Sequence, residues 1–534
     1  MKSKLLELVF GLGPIIVLVL SLFAKPSFDV YKGTTYFDGN EAYDYLVKIC
    51  HKFRRRVVGS ESDFLAGLWI MGEFKSLGYE VYLQNFTTRG FYGVVKAMNV
   101  YAIKRGKLSK YIVVMAHRDV VPTTIEGAND NGAGVAVLME LAKIFVKRNL
   151  TLSIIFLCTD SEETGLHGAR FFVNNFPEIN EIVCAISIDM CCWKDASGLS
   201  LIAYYYPPKF SDASILLAML SLRRLGYNVI VDPLDEIMAR LNLVFAGTDS
   251  MPFVAQGVPA IGICDYPLYP YWHKEEDTLD KVSSSHLQIV GELVERFILT
   301  VDSMEKLPEF SQHYLIVSDV YFSWYSLYLT TSLIFIFTII RVIRHARPSR
   351  KGLVTYLILY LLAVLTTTLS TPLCMKLKSF VLTTTIVLAV YSLCVWIVLR
   401  KIEFPAREVQ GVSIIAYDVL YLPSLILSPE VALILLTPMA YVSALVRSVK
   451  KYKVVLVLAV TLVNVAPWAL LLNYVFSTYG YKLSDKVLCY LTRLASYRFG
   501  LLAYVAIPAT ISLILVTAVI SMLIILRSIS THEE

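Results

Sequence analysis

Two short apolar runs, each ending in charged residues, constrain this chain more than any other feature. Residues 111–116 read as a strand that delivers His117 and, two residues on, Asp119. Residues i and i+2 of an extended chain point the same way, so this imidazole and this carboxylate share a side. A glycine-rich turn, Gly127 to Gly134, then holds Asp130 at the mouth of a helix that begins near Gly132. Residues 152–158 form a second apolar strand and deliver the adjacent pair Glu162 and Glu163. In an open α/β sheet such strand ends converge at the carboxyl edge, where ligand sites form.

A lone His-x-Asp or Glu-Glu pair is commonly a solvated loop feature, but here further pieces join them. The strand Ile182 to Ile188 ends in Asp189. The strand Ala260 to Cys264 is followed by Tyr271-Trp272-His273, with Asp277 to Asp280 just beyond. Five potential ligands at the ends of four expected strands form a set of imidazoles and carboxylates that hard or borderline divalent metals accept.

In this order the blocks AHRD (116–119), GANDNGAG (127–134), DSEETGLHGA (160–169), SIDM (187–190) and WHKEEDTLD (272–280) resemble metallopeptidase family twenty-eight, the aminopeptidase Y type. The likeness extends to GTDSMPFVAQGVPAIGI (247–263) and to the helical lead-in at 59–81, about half of the chain. The resemblance implies an α/β fold, a three-layer zinc-exopeptidase-like domain with a mixed, mostly parallel sheet, and two co-catalytic zinc ions. Carried over by position, Asp130 bridges the ions; His117 and Asp189 complete one site, Glu163 and His273 the other. Glu162 is the general base, and Asp119 orients His117 from behind. The family often places a tyrosine near the late histidine as oxyanion donor. Here Trp272 precedes His273, with Tyr266, Tyr269 and Tyr271 upstream, and the donor among them stays open.

The rest of the chain has a different texture. Over 534 residues only 17% are charged, and the mean hydropathy is +0.60. That is too apolar for a soluble two-domain enzyme and points to a membrane protein with a soluble part. The net charge of +6 sits mostly beside apolar runs, so topology explains it better than a nucleic-acid partner does. Residues Leu5 to Ala24 form an apolar run read as an uncleaved anchor rather than a signal peptide, because paired small residues are missing before a cut. From Val320 onward seven apolar spans are expected, at 321–340, 352–371, 380–399, 411–428, 430–446, 454–475 and 501–526. Basic loops at 341–351, 400–407 and 447–453 fall on the side of Lys2 and Lys4 if every span crosses, which makes that side cytoplasmic.

The expected plan is therefore an N-terminal transmembrane anchor (1–25), an extracytoplasmic di-zinc peptidase domain (26–315) and an all-α multi-span membrane domain (316–534). The chain is expected to be a multi-pass protein of the cell membrane, or of the endoplasmic reticulum membrane in a eukaryote. Its expected partners are peptide or protein substrates and the lipid bilayer, and no nucleic acid. Endoplasmic-reticulum metallopeptidases of the family look similar in plan. Two other functions compete with an aminopeptidase. One is a single-zinc acyl transferase of the glutaminyl cyclase type; the other is a non-catalytic receptor or scaffold resembling transferrin receptor or nicastrin. Full retention of the ligand set argues against both. Asp418, Asn464 with Pro467, and Pro508 lie inside apolar spans and raise a transport role, but no charge relay or broken-helix pair accompanies them. His167 reads as the start of a helix, and the nine cysteines read as free thiols.

Overall fold

Runs such as YIVVMAH, SIIFLCT and IVCAISI have no polar alternation, and the structure places them at the centre of the fold as fully or almost fully buried strands. In this computed structural model the described residues are 2–21, 28–205, 209–231, 247–308, 314–317 and 320–345, with scattered positions between 349 and 415. In chain order the elements are α1 (Lys2–Ser21), α2 (Gly39–Lys52), α3 (Glu61–Ser76), β1 (Glu80–Gly90), β2 (Gly93–Lys104) and β3 (Tyr111–His117). There follow α4 (Ala133–Phe145), β4 (Ser153–Thr159), α5 (His167–Asn175), β5 (Ile182–Ile188), β6 (Gly198–Ile202), β7 (Tyr204–Tyr205) and β8 (Lys209–Phe210). The remainder are α6 (Ala213–Ser221), β9 (Val229–Ile230), α7 (Ser250–Gln256), β10 (Ala260–Tyr266), α8 (Ser284–Met304), β11 (Tyr314–Val317), β12 (Val320–Ser323) and α9 (Trp324–His345).

Lys25–Tyr321 is one compact unit, and Met1–Ala24 belongs with the residues from Phe322 onward in another. The first unit is an eight-stranded mixed sheet in the order β1-β2-β4-β3-β5-β10-β6-β9. Its centre, β4-β3-β5-β10, is parallel. The flanking pairs β1-β2, β2-β4 and β10-β6 are antiparallel.

Helices cover both faces. On one, Leu46, Leu138, Leu141, Val290 and Phe297 of α2, α4 and α8 close the larger core. On the other, Phe172 and Phe176 at α5 and Phe253 of α7 close a smaller one against Tyr101 and Val113. The helix starts follow capping chemistry: Asp38, Ser60 and Ser283 each accept a backbone N–H from the first turn behind them. α4 is apolar almost all round and is buried over its first ten residues, as a helix between sheet and neighbours must be. The β1-β2 hairpin is not announced by the hydrophobic pattern, because the first four residues of β2 are exposed or half-buried and β1 is mostly so. The six described cysteines are buried, and the Cys191 and Cys192 sulfurs lie 3.9 Å apart.

In the second unit α1 covers most of the expected anchor and packs along α9, with Leu333 beside Gly13. Among the described residues no helix is long and apolar enough to cross a membrane. α9 overlaps the expected span 321–340, but its last turns carry Arg341 and Arg344. The six later spans lie almost wholly outside the described residues, as do Asp418, Asn464 and Pro467.

Candidate metal centre

Pairing fixes where each polar residue emerges. His117 pairs with Thr159, Met115 with Ser187, and Ile188 with Ile263, so β3, β4, β5 and β10 end at one edge. Asp119 lies two residues past β3, Glu162 three past β4 and Asp189 one past β5, while His273 arrives on the loop after β10. Asp130 sits in a distorted turn, Ala128–Gly132, ahead of α4. Three non-glycine residues with left-handed backbone cluster here: Ser161 before Glu162, Met190 after Asp189, and His273 itself. Such backbone is costly and persists where surrounding structure over-determines it.

These side chains meet. His117 Nε2 lies 3.4 Å from Asp189 Oδ1 and 3.5 Å from Asp130 Oδ1. His273 Nε2 lies 2.8 Å from Glu163 Oε2 and 3.6 Å from Asp130 Oδ2. Three groups of potential ligand atoms result: His117-Asp130-Asp189, Asp130-Glu163-His273 and His117-Glu162-Glu163. Asp130 therefore turns one oxygen toward each of two groups. Its neighbours are buried, whereas the His273 side chain remains 35% exposed and marks the open side.

Residues 99–298 match the family model described as peptidase family M28. The chain carries an M28 peptidase domain. This is a zinc metallopeptidase family with aminopeptidase homologues, and the M28 domain here holds all seven residues expected of the site on one sheet edge. The chain is 26% identical over 226 residues to aminopeptidase YwaD of Bacillus subtilis, covering 40% of this chain and 46% of the relative. It is 24% identical over 226 residues to putative endoplasmic reticulum metallopeptidase 1 of Schizosaccharomyces pombe, covering 36% and 27%. The chain thus spans less than half the length of these relatives. Among solved structures it is similar to a zinc aminopeptidase from Bacillus subtilis, at 16% identity and a TM-score of 0.45, covering 54% of this chain and 100% of that one.

The M28 domain's carboxylates fit a divalent cation on charge as well as spacing. Glu163 Oε1 is buried with no hydrogen-bond partner, an arrangement that costs free energy unless something else binds it. Among the described residues no lysine or arginine pairs with Asp119, Asp130, Glu162, Glu163 or Asp189. Burial pushes the Glu162 and Glu163 carboxyls well above their usual range. Burial opposes a charge on His117, yet Glu162 and Asp189 hold its proton well above the ordinary histidine range. His273 shifts the other way, because burial outweighs Asp130.

Asp119 does more than sit beside His117. Its backbone carbonyl, 3.1 Å from His117 Nδ1, is nearer than its carboxylate at 3.6 Å. The carboxylate instead accepts the N–H groups of Glu162 and Glu163 at 3.0 and 3.2 Å, fixing the turn that presents both. The Tyr269 hydroxyl, a candidate oxyanion donor from sequence, donates to Asp277 at 2.8 Å in a buried position. Tyr266 is exposed, and the ring of Tyr271 lies under Lys281. His167 starts α5 and belongs to none of the three groups.

Two buried acids near the site have no role in the sequence reading. Asp249 accepts from Thr159, and burial raises its carboxyl to about 7. Asp277 accepts from Asn129, Asp130 and Tyr269. Both lie inside the matched stretches GTDSMPF and WHKEEDTLD, which was the available signal.

Proposed function

We propose that this chain is a membrane-anchored di-zinc exopeptidase, an aminopeptidase that hydrolyses peptide bonds outside the cytoplasm. The observation that carries the reading is Asp130, whose two oxygens face separate ligand groups. In this reading His117, Asp189 and one Asp130 oxygen would hold the first ion, while Glu163, His273 and the other oxygen would hold the second. When bound, such ions would supply Lewis acidity, lowering the pKa of water and polarising the scissile carbonyl. Glu162 remains as the general base. It takes a proton from the attacking water and returns it to the departing amine as the C–N bond breaks. Its neighbour Glu163 is committed to His273, so the two adjacent carboxylates divide the roles. Asp119 holds both in place through their N–H groups.

The membrane part of the proposal rests on the apolar spans after Val320 and the one-sided distribution of basic loops. The likeness to a relative named as an endoplasmic reticulum metallopeptidase supports it. The catalytic domain is placed at 26–315, between an anchor and the span-rich segment.

The test is zinc content and peptide digestion by the full chain in detergent. Two zinc ions per chain are expected, with cleavage of peptides bearing a free amino terminus and not of their N-acetylated forms. One ion, with cyclisation of N-terminal glutamine, would replace the aminopeptidase by the glutaminyl cyclase reading. No zinc uptake and no turnover would favour a receptor or scaffold.

A further inference from the structure

Arg56 is fully buried, yet among the described residues it has no carboxylate within ion-pairing distance. All the hydrogen bonds its guanidinium makes go to backbone carbonyls. Nε donates to Arg118 O at 2.8 Å, Nη1 to Phe53 O at 3.1 Å and Glu126 O at 2.7 Å, and Nη2 to Gly127 O at 3.0 Å. One guanidinium thus ties the residue after His117 to the turn that leads into Asp130. Gly127 is needed for this approach: its backbone is left-handed, and a Cβ there would lie 2.8 Å from Arg56 Nη2.

Asp277 makes the complementary grip with acceptors. Its Oδ1 takes the N–H of Asn129 at 2.8 Å and its Oδ2 that of Asp130 at 3.1 Å, with Tyr269 donating to Oδ1. Asp277 lies four residues after His273, so it joins the loop of that ligand to the turn carrying Asp130. The turn is therefore held on its carbonyls by a buried guanidinium and on its amides by a buried carboxyl group. Such groups are stable in a protein interior only when hydrogen-bonded, and charge-assisted bonds to backbone are stronger than neutral ones.

We propose that Arg56 and Asp277 are a pair of positioning residues that grip the Asp130 turn from opposite sides, setting its two oxygens toward the two ligand groups. The proposal rests on the metal-centre reading above. Neither residue touches a ligand atom; each acts through the backbone of the turn. Together they join the segments that bear His117, Asp130 and His273, which lie far apart in sequence.

The experiment measures zinc affinity by competition with a chelator, and Tm with and without zinc, for full-length Asp277→Asn, Arg56→Lys and Tyr269→Phe. Asp277→Asn keeps the shape but replaces one acceptor by a donor facing the N–H groups. It should lose about 10- to 100-fold in zinc affinity, the usual cost of disturbing groups behind a ligand. Its Tm without zinc should stay near wild type, and most of the zinc-dependent rise should vanish. Arg56→Lys keeps the charge but cannot fork to four carbonyls, and should behave similarly. Tyr269→Phe removes one hydrogen bond to Asp277 and should weaken zinc by about 2- to 10-fold, which keeps the test open if either charged variant misfolds. Zinc affinity within about twofold of wild type in the folded Asp277 and Tyr269 variants would overturn the proposal. So would a fall in metal-free Tm with the zinc-dependent rise intact, the mark of a purely structural role. Failure of the wild type to bind zinc would instead remove the metal-centre reading itself.

Discussion

His117 and Arg118 are neighbours in sequence, but their side chains enter two buried charge clusters with opposite properties. Arg118 meets Asp160 at 2.8 Å and Asp63 at 3.0 Å, and its remaining N–H groups reach the carbonyls of Asp63, Met98 and Thr159. Burial pushes the Asp63 and Asp160 carboxyls upward against the pull of Arg118, so this cluster approaches neutrality with protein groups alone. His117 enters a set of five carboxylates and two imidazoles that, among the described residues, has no lysine or arginine partner. Both clusters are buried, apart from His273 on the open side of the second. The difference between them is one of charge: Arg118 stands against two acids in the first cluster, whereas the second gathers five carboxylates and would be completed by added positive charge.

The strongest way to break this contrast is Asp130→Ala. Removing the residue shared by two ligand groups should abolish binding of both metals and reduce activity below detection, while His273→Ala should chiefly weaken one. Metal analysis of the two purified variants decides it; equal loss of a single ion in both would contradict a shared Asp130.

Glu162→Gln should separate chemistry from assembly within the same cluster. The amide cannot accept the water's proton, so kcat should fall by about 10²- to 10⁴-fold while zinc content stays near wild type. A variant that loses zinc but keeps normal turnover per remaining ion would show that Glu162 is a ligand instead.

Arg118→Met probes the self-sufficient cluster. It leaves Asp63 and Asp160 buried without their cation and should cost about 3–5 kcal/mol of stability, read from the denaturant midpoint. Folded Arg118→Met protein should still take up zinc. A variant as stable as wild type would show that the two acids are neutral without Arg118.

A smaller effect comes from Glu140 on α4, whose carboxyl burial raises to about 7 from an unfolded value near 4.5, with Lys143 opposing the shift. Between those values the unfolded chain ionises and the folded one does not, so stability falls as pH rises through that window and stays lower above it. Glu140→Gln should lack this loss and gain about 1–3 kcal/mol over wild type at pH 8. Parallel stability curves for the two proteins from pH 5 to pH 8 would rule out a raised Glu140.

The sequence by itself determined which charged residues gather at the candidate site and the strands that present them. β-branched runs without alternation can only be central strands, and a polar residue just past such a run must emerge at a sheet edge. It also carried the start of α3, since the helical lead-in at 59–81 begins beside the capping residue Ser60. The apolar spans after 352 are likewise legible only there. What tertiary structure decided is how the backbone between the ligands is held. Arg56 is the last of three consecutive arginines, which reads as a solvated basic run, yet it is buried and bound to four carbonyls. Backbone acceptors carry no mark in a sequence, because every residue has one. The Asp277 contacts span 147 and 148 residues to the Asp130 turn, and Arg118 reaches Asp63 and Asp160 across 55 and 42. Local pattern reports which side chains reach an edge, since strand geometry is local. Which buried charge finds a protein partner and which is left for a ligand depends on contacts made only when distant segments pack.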